Sequence, residues 1–194
     1  MEMDAQISIR PYRLEDAPAV HAAVLASVAE IQPFGPWCHP GLMLADIRTW
    51  IEKQVQAFEA LEAFEFAILG EDGGYLGGCG LNQIDQANRR ANLGYWVRTS
   101  ATRRGVATAA IRQLARWAFE STDLIRLEVV VSIRNVASLR AAEKAGAVRE
   151  GVLRSRLLLH GVAHDAVLFS FVREAIRVQS EPRPPVRGIS KEDR

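Results

Sequence analysis

The stretch TSATRRGVATAAIRQLARWAF (Thr99–Phe119) leads from a polar loop through Gly105 into an alanine-rich segment with helical periodicity. A glycine and small residues at a helix start leave the first backbone N–H groups and the positive end of the helix dipole accessible. Gly105 carries no Cβ that would hold a ligand away from the backbone. Arg103 and Arg104 add positive charge beside it. The stretch therefore predicts an anion site suited to phosphate or pyrophosphate.

The same residues have a simpler explanation, a glycine-containing loop that carries a solvated arginine pair. On the segment TRRGVATAA alone this explanation is preferred, because short glycine-rich patterns match many unrelated proteins. The segment lacks the Gly-Lys-Ser/Thr ending of a P-loop and the three spaced glycines of a dinucleotide-binding fingerprint. If phosphate binds here, the ligand therefore belongs to another class.

The chain around this stretch predicts the element order β-α-α-β-β-β-α-β-α-β-β. Before it, apolar periodicity predicts a strand, two helices and three strands at Ile7–Tyr12, Arg13–Ile31, Leu44–Ala63, Ala63–Leu69, Tyr75–Ile84 and Ala91–Val97. The prolines and glycines of Gln32–Gly41 predict a loop between the two helices. After the opening stretch, the predicted elements are Arg126–Ile133, the helix Asn135–Gly146, and the strands Ala147–Leu153 and Ala163–Val172. An antiparallel region followed by a β-α-β-α segment implies the α/β class with a mixed sheet.

Composition bounds the class of protein. The 194 residues carry 24 basic and 23 acidic side chains, a net charge of +1, which gives no case for a nucleic-acid or membrane-surface partner. Two cysteines in unrelated contexts predict neither a disulfide scaffold nor a zinc site. With no signal peptide and no long apolar run visible, a cytoplasmic protein is expected. Residues 1–179 are predicted to form one domain, and the proline-rich, charged residues 180–194 a disordered tail.

Three segments together resemble the GNAT superfamily of acyl-CoA-dependent N-acetyltransferases. They are LGYWV (Leu93–Val97), TRRGVATAAIRQL (Thr102–Leu114) and RLEVVVSIRNVASLRAAEKAGAVREGVLR (Arg126–Arg154). The similarity extends over roughly Ile7–Val172 and is greatest to the ribosomal-protein N-terminal acetyltransferase (RimJ/RimL-like) branch. It implies a single-domain GNAT fold, with a central mixed, twisted sheet flanked by helices, and acetyl-CoA as cosubstrate without a metal.

The resemblance gives the opening loop a specific ligand. In the family, the pattern Arg/Gln-x-x-Gly-x-Gly/Ala wraps the pyrophosphate of coenzyme A. Gly105 and Ala107 match the pattern, whereas Thr102 replaces the Arg or Gln and Arg103 replaces a common glycine. Backbone donors suffice for pyrophosphate. The cofactor-binding residues implied in this loop are Thr102, Arg103, Arg104, Gly105, Val106, Ala107 and Thr108.

The segment NVAS opens the helix after a buried strand. Asn135 is a good N-cap and Ser138 lies in the first turn, so capping alone explains both residues. The resemblance implies that Asn135 lies near the pantetheine arm and Ser138 near the thioester sulfur. Ser138 is then the catalytic candidate, a proton donor to the departing thiolate that would contribute up to ~10²–10⁴-fold in rate.

The strand before the loop has an implied role in binding as well. In the family it splays from its neighbour, its free backbone groups pair with pantetheine, and one N–H polarises the thioester carbonyl. Tyr95, Trp96 and Val97 are accordingly assigned to the cofactor. The alternative is a half-buried strand whose side chains only pack, and it is preferred for the side chains of Leu93 and Val97.

The acceptor side is implied less completely. Trp37, in a loop that resembles a Trp-rich loop at the acceptor entrance of relatives, and Asn82 and Asn92 are assigned to the amine substrate. Loop packing for Trp37 and turn capping for Asn82 are the alternatives. Many relatives carry a Glu at the position of Asn92, and some carry one where this chain has Leu157. No base is therefore assigned, and four side chains remain as candidates: Glu150, His160, His164 and Asp165.

The implied reaction is direct attack of a primary amine on acetyl-CoA. The amine belongs to a small molecule or a peptide, with a ribosomal-protein N-terminus among the options, and the enzyme is a monomer or homodimer. The departures at Asn92 and Leu157 leave a second interpretation, a non-catalytic acyl-CoA-binding sensor or interaction module on the same fold. A plain phosphate- or nucleotide-binding α/β domain is a third interpretation, which the missing Lys-Ser/Thr disfavours.

Overall fold

The computed structural model describes residues 5–173, which form a seven-stranded mixed sheet with helices on both faces. The strands are β1 (Ile7–Pro11), β2 (Phe64–Gly70), β3 (Tyr75–Asp85), β4 (Arg90–Val97), β5 (Arg126–Ser132), β6 (Val148–Leu159) and β7 (Val162–Val172). The helices are α1 (Ala17–Leu25), α2 (Val28–Ile31), α3 (Leu44–Glu59), α4 (Val106–Ser121) and α5 (Val136–Ala145). The predicted α/β class and mixed sheet are confirmed. The predicted domain end at residue 179 and the predicted tail, residues 180–194, lie outside the described residues.

The first predicted helix is divided into α1 and α2 at Ser27. Its hydroxyl donates to the Ala23 carbonyl at 2.7 Å and accepts from the Thr99 N–H at 3.0 Å. Ser27 is fully buried, so the break ties the helical layer to the segment that follows β4. Side-chain hydrogen bonds of this kind compete with helix propagation, which is why apolar periodicity alone did not predict the break.

The strand order is β1-β2-β3-β4-β5-β7-β6, and every pair is antiparallel except β4 with β5. This parallel pairing joins Arg90–Asn92 only to Arg126–Glu128. Beyond Asn92 the two strands separate, so the edge of β4 that faces β5 is left without a partner strand as far as Val97. The separation opens the middle of the sheet.

Strand alternation divides the core between the two faces of the sheet. Along β2, Phe64, Phe66 and Ile68 pack in the cluster that contains residues of α4 and α5, whereas Ala67 packs in the cluster that contains residues of α1 and α3. The same alternation along β4 places Leu93, Tyr95 and Val97 in the first cluster and Trp96 in the second. Side chains of both faces are therefore available at the gap between β4 and β5.

The last hairpin is longer than predicted. β6 extends to Leu159, through the polar segment RSR, and its register with β7 shifts between Leu153 and Leu157. Within that irregularity Ser155 has a φ of 50°, and its N–H donates to Asp165 Oδ1 at 2.8 Å. The bulge interrupts the alternation on which the prediction depended.

Candidate active site

The gap between β4 and β5 is part of a cleft of about 1530 Å³ that crosses the sheet. One side of the cleft is formed by the loop before α4 and the start of α5, the other by residues of α1, α2, α3 and the loop between α2 and α3. The residues assigned from sequence that line it are Trp37, Asn82, Tyr95, Trp96, Val97, Thr102, Arg103, Arg104, Gly105, Val106, Ala107, Thr108, Asn135 and Ser138. Asn92 is not part of the lining and contacts it through Asn82.

The loop from Thr102 to Gly105 presents the start of α4 to the cleft. Gly105 is the N-cap with a φ of 78°, and no side chain caps the helix there. The first N–H groups of α4 have no partner within the helix, so they are a candidate anion site. An added Cβ on Gly105 would lie 3.6 Å from the Ala5 nitrogen, an ordinary contact. Within the protein, the requirement for glycine at this position therefore comes from the left-handed backbone.

Basic side chains surround this half of the cleft. Five of them are part of its lining: Arg103, Arg104, Arg112, Arg140 and Lys144. Arg112 also donates to the carbonyl oxygen of Lys144, which links α4 to the end of α5. Arg103 itself has a φ of 59°, an uncommon conformation for a residue with a side chain. Together with the helix dipole, these charges favour a ligand with several phosphate groups.

Tyr95 and Ser138 meet across the gap in the sheet. Tyr95 Oη lies 2.7 Å from Ser138 Oγ, and it also donates to the Ser138 carbonyl oxygen at 3.0 Å. Burial raises the pKa of Tyr95 to about 12, so its hydroxyl stays protonated at neutral pH. Asn135 Oδ1 accepts from the Ser138 N–H at 3.1 Å, the capping contact that the sequence left open as an alternative. The Ser138 hydroxyl is thus held at the cleft next to a second hydroxyl group.

Glycines form the floor of the opposite half. Gly78 on β3 and Gly94 on β4 line the cleft, and the registers pair Glu65 with Gly80 and Gly80 with Gly94. An ideal Cβ on Gly80 would lie 2.1 Å from Glu65 Oε2, so the carboxylate occupies the space above that glycine. Burial raises the pKa of Glu65 to about 7, and the Asn82 side chain partly offsets this rise.

Glu65 was not among the residues assigned from sequence. The available signal was an acidic residue between Phe64 and Phe66 in a strand that also carries buried residues on both faces. Charged side chains are rare inside such strands unless they are paired or functional. What the local sequence did not contain was the cross-strand register that places the glycines of YLGGCG opposite it.

Aromatic rings close the entrance of this half. The Trp37 and Trp96 ring centroids are 5.7 Å apart in an edge arrangement, and Trp37 remains 48% exposed. Cys38 beside it is buried, and burial raises the pKa of its thiol, so it lacks the thiolate character of a nucleophile. Trp37 therefore stands on an anchored loop, with its ring at the mouth of the cleft.

The four base candidates from sequence lie elsewhere. Glu150 Oε1 and Oε2 accept from Arg126 at 2.7 and 2.6 Å, and this contact lowers the pKa of Glu150 to about 2. His160 Nε2 lies 2.8 Å from the Gln32 carbonyl oxygen, and Asp165 accepts from Ser155. None of these three, nor His164, is part of the cleft lining.

Residues 5–173 contain neither a metal-binding cluster nor a membrane-spanning helix. No group of three or more His, Cys, Asp and Glu side chains in this part of the chain is arranged to hold a metal ion. None of its helices has the length and apolar character needed to cross a bilayer.

The chain is similar in sequence to known acetyltransferases. Residues 6–148 match the acetyltransferase (GNAT) domain family. The Bacillus subtilis protein YdaF, whose name assigns it provisionally to the ribosomal N-acetyltransferases, is 35% identical over 176 residues, 89% of this chain and 94% of its own. The ribosomal-protein-serine acetyltransferase of Escherichia coli is 26% identical over 125 residues, covering 64% of this chain and 69% of that protein.

A solved structure gives the same result at the level of the fold. Mycobacterium smegmatis RimJ in complex with CoA-disulfide superimposes with a TM-score of 0.79 at 26% identity, over 88% of this chain and 84% of that one. The predicted resemblance to the RimJ/RimL-like branch is thereby confirmed. The chain belongs to the acetyltransferase (GNAT) domain family and is an N-acetyltransferase.

Proposed function

We propose that this enzyme transfers the acetyl group of acetyl-CoA to the α-amine of a protein N-terminus of the ribosomal-protein type. The observation that carries the proposal is the Tyr95–Ser138 contact at the gap between β4 and β5, which has an anion site on one side and an acidic, aromatic pocket on the other. The names of the relatives supply the substrate type, which for this chain is part of the proposal.

The residues of the anion site fit coenzyme A. The N–H groups of the first turn of α4 would bind the pyrophosphate, with Arg103 and Arg104 beside it. The unpartnered edge of β4 beyond Asn92 has the spacing of a strand, and it would pair with the amide groups of the pantetheine arm. Asn135 and Ser138 line the cleft on the opposite side of the gap.

Acetyl-CoA supplies an acyl group that is activated as a thioester. A backbone N–H on the free edge of β4 would donate to the oxygen on which negative charge develops as the amine attacks. The Ser138 hydroxyl would give its proton to the sulfur as the carbon–sulfur bond breaks. Tyr95, protonated and 2.7 Å from Ser138 Oγ, would stabilise the serine oxygen at that moment by turning its one proton from the Ser138 carbonyl oxygen to Oγ.

The other half of the cleft fits a cationic amine. Glu30, Asp46 and Glu65 are acidic residues of its lining, and Trp37, Trp50 and Trp96 are aromatic. Carboxylates attract an ammonium group, and tryptophan faces favour cations as well. The exposed rings of Trp37 and Phe34 at the entrance provide contacts for the residues that follow an N-terminus.

The test is a panel of acceptors incubated with labelled acetyl-CoA and read by mass spectrometry. Peptides that begin with Ser or Ala, like ribosomal-protein N-termini, are compared with the same peptides blocked at the α-amine, with a polyamine and with an aminoglycoside. Acetylation only of free α-amines supports the proposal, whereas preferential acetylation of the polyamine or aminoglycoside overturns the substrate class. Coenzyme A at about 1 mM should also raise the melting temperature, since a ligand above its Kd stabilises the native state.

The non-catalytic interpretation is distinguished by the same panel. It predicts a rise in melting temperature with coenzyme A but no consumption of acetyl-CoA with any amine. The absence of an acid at Asn92 and Leu157 was its motivation. Glu65, a carboxylate of β2 that lines the cleft, supports the catalytic interpretation instead.

A further inference from the structure

We propose that Glu65 is the general base of the reaction, held over the glycine floor by the amide side chain of Asn82, which Asn92 orients in turn. The inference rests on the proposed function, because it requires an amine acceptor in the cleft. It adds a catalytic residue on β2, and it gives Asn82 and Asn92 positioning roles in place of direct contacts with substrate.

The position of the Glu65 carboxylate follows from two registers. Glu65 is opposite Gly80, and the carboxylate lies over that glycine, where an added Cβ would be 2.1 Å from Oε2 and 2.2 Å from Cδ. Gly80 is opposite Gly94 on β4. Since neighbouring strands are about 4.8 Å apart, the carboxylate is roughly one strand spacing from the backbone of Gly94.

The space above Gly94 is open. An added Cβ there would meet only the Asn82 and Asn92 amide nitrogens, both at 3.9 Å. Gly94 lies on the part of β4 that has separated from β5. An amine that approaches a thioester on this free edge therefore comes within reach of the carboxylate, directly or through one water molecule.

Two amides in series orient the carboxylate. Asn92 Nδ2 donates to Asn82 Oδ1 at 2.9 Å. That contact fixes the direction of the Asn82 amide, so its NH₂ group is the donor left for Glu65, whose pKa it lowers. A neutral donor of this kind positions a carboxylate without forming an ion pair with it. Glu150, by contrast, is ion-paired with Arg126.

The surroundings of Glu65 leave it able to exchange a proton near neutral pH. Burial and the Asn82 amide, rather than a nearby cation, set its pKa at about 7. The Glu65 charge acts on Tyr12, Tyr75 and Cys79. Burial raises the pKa of these three groups, so they are uncharged at neutral pH. The other titratable groups that line the same cleft are Glu30, Asp46, Tyr95, Arg103, Arg104, Arg112, Arg140 and Lys144.

The proton balance of the reaction can be written on this basis. The acceptor ammonium loses two protons when it becomes an amide. Glu65 accepts the one that frees the nitrogen lone pair for attack, and passes it to solvent after the step. The second is lost from the nitrogen as the carbon–sulfur bond breaks, and it passes to the Ser138 oxygen through water, replacing the proton that Ser138 gives to the thiolate. No oxidant, reductant or metal enters the step.

A base of this strength favours an α-amine. The α-amino group has a pKa of about 8, whereas a lysine or polyamine nitrogen has one of about 10.4. Transfer of a proton to a carboxylate with a pKa of about 7 is therefore far less unfavourable from an α-amine than from an alkylamine. The base and the acceptor type of the proposed function are thus chemically matched.

The experiment compares Glu65→Gln with Glu71→Gln, a control at an exposed residue just after β2. Glutamine has the shape of glutamate and keeps an oxygen for Asn82. We expect kcat/KM at pH 7 to fall about 10²–10⁴-fold in Glu65→Gln, with the acetyl-CoA Kd measured by calorimetry unchanged. The deficit should narrow as pH rises, because more of the amine is then neutral without a base.

The outcomes separate the two proposals. A wild type that acetylates α-amines, with Glu65→Gln retaining full kcat/KM at pH 7, overturns the role of Glu65 and leaves the proposed function intact. A wild type that binds acetyl-CoA and acetylates no amine overturns the proposed function and the base with it. Glu65→Asp, whose carboxylate is withdrawn by one methylene group, should recover part of the lost rate, since it restores a titratable group.

Discussion

Tyr95 Oη lies 2.7 Å from Ser138 Oγ, and this contact joins β4 to the first turn of α5 across the gap in the sheet. If Ser138 protonates the thiolate, Ser138→Ala should lower kcat by ~10²-fold or more. Tyr95→Phe should lower it only roughly two- to tenfold, the equivalent of one hydrogen bond of about 0.5–1.5 kcal/mol, because the serine proton remains.

Steady-state kinetics at saturating acetyl-CoA check this pair, together with calorimetry of acetyl-CoA binding. Both variants should keep the wild-type Kd, since the change is confined to the step in which the thiolate leaves. A Ser138→Ala enzyme with normal kcat and a weakened Kd would instead assign Ser138 to cofactor binding alone.

Gly105 sets the entry into α4 with its left-handed backbone. Gly105→Val should raise the coenzyme A Kd roughly ten- to hundredfold, because strain of about 1–3 kcal/mol displaces the N–H groups of the first turn. Asn tolerates this region of φ and ψ, so Gly105→Asn should bind more tightly than Gly105→Val. Calorimetry with coenzyme A measures both values.

Gly146 provides the matched control for backbone strain. It has a φ of 94°, it caps α5, and nothing lies within 4 Å of an added Cβ. It is not part of the cleft lining. Gly146→Val should lower stability to a similar degree and leave the coenzyme A Kd unchanged. Equal losses of affinity in both variants would mean that general destabilisation, not the anion site, is responsible.

The elements that were predictable from sequence are those whose signal is local. The alternation of Leu93, Tyr95 and Val97 and the periodicity of α4 needed no knowledge of the rest of the chain. The division at Ser27 and the extension of β6 past Leu153 were missed, because a buried hydroxyl contact and a bulge each depend on a distant partner. Long-range contacts override local pattern in both places.

The candidate site also contains residues that were predictable from local sequence and one that was not. The loop that contains Gly105 and the cap at Asn135 are continuous pieces of chain, so their residue types were visible in the sequence. Glu65 is a site candidate because two strand registers place it beside Gly80 and, one strand further, Gly94. A register cannot be read from a single strand. The base candidates chosen from sequence, which belong to β6, β7 and the turn between them, therefore do not line the cleft.

Trp37 stands at the mouth of the acceptor half, against Trp96. Trp37→Ala should raise KM for a peptide acceptor roughly three- to tenfold, since an aromatic pair contributes about 0.5–1.5 kcal/mol beyond the area it buries. Trp37→Phe keeps an aromatic ring, so its KM for the peptide should lie between those of the wild type and Trp37→Ala. The acetyl-CoA Kd is the internal control, and a change in it would place Trp37 on the cofactor side.

Asn82 lowers the pKa of Glu65, so removing the Asn82 amide should raise that pKa. In Asn82→Ala the carboxylate loses a donor, and the pH at which kcat/KM reaches half its maximum should move upward. Asn92→Ala should move it in the same direction by less, because the Asn82 amide remains. Profiles between about pH 5.5 and 9 with one peptide cancel the titration of the acceptor itself. A uniform drop in rate with an unmoved midpoint would assign Asn82 a structural role only.

The raised pKa of Glu65 also has a consequence for folding. The native value of about 7 exceeds the ordinary value of 4.5, so the native state holds this proton more tightly than the unfolded chain. Stability from this group is complete below about pH 4.5, falls as pH rises to about 7, and is constant above that. The 2.5-unit difference corresponds to about 3 kcal/mol lost between pH 4 and pH 8.

Glu65→Gln cannot titrate, so its advantage in unfolding free energy over the wild type should grow by about 3 kcal/mol from pH 4 to pH 8. Urea unfolding of the two proteins at both pH values measures this, and every other carboxylate cancels in the comparison. Glu71→Gln should show no such growth. If Glu65→Gln is more stable than the wild type at pH 8 and inactive at pH 7, the carboxylate that the reaction needs is one that lowers the stability of the fold. A constant difference between the proteins would mean that Glu65 titrates at its ordinary value and is not tuned as a base.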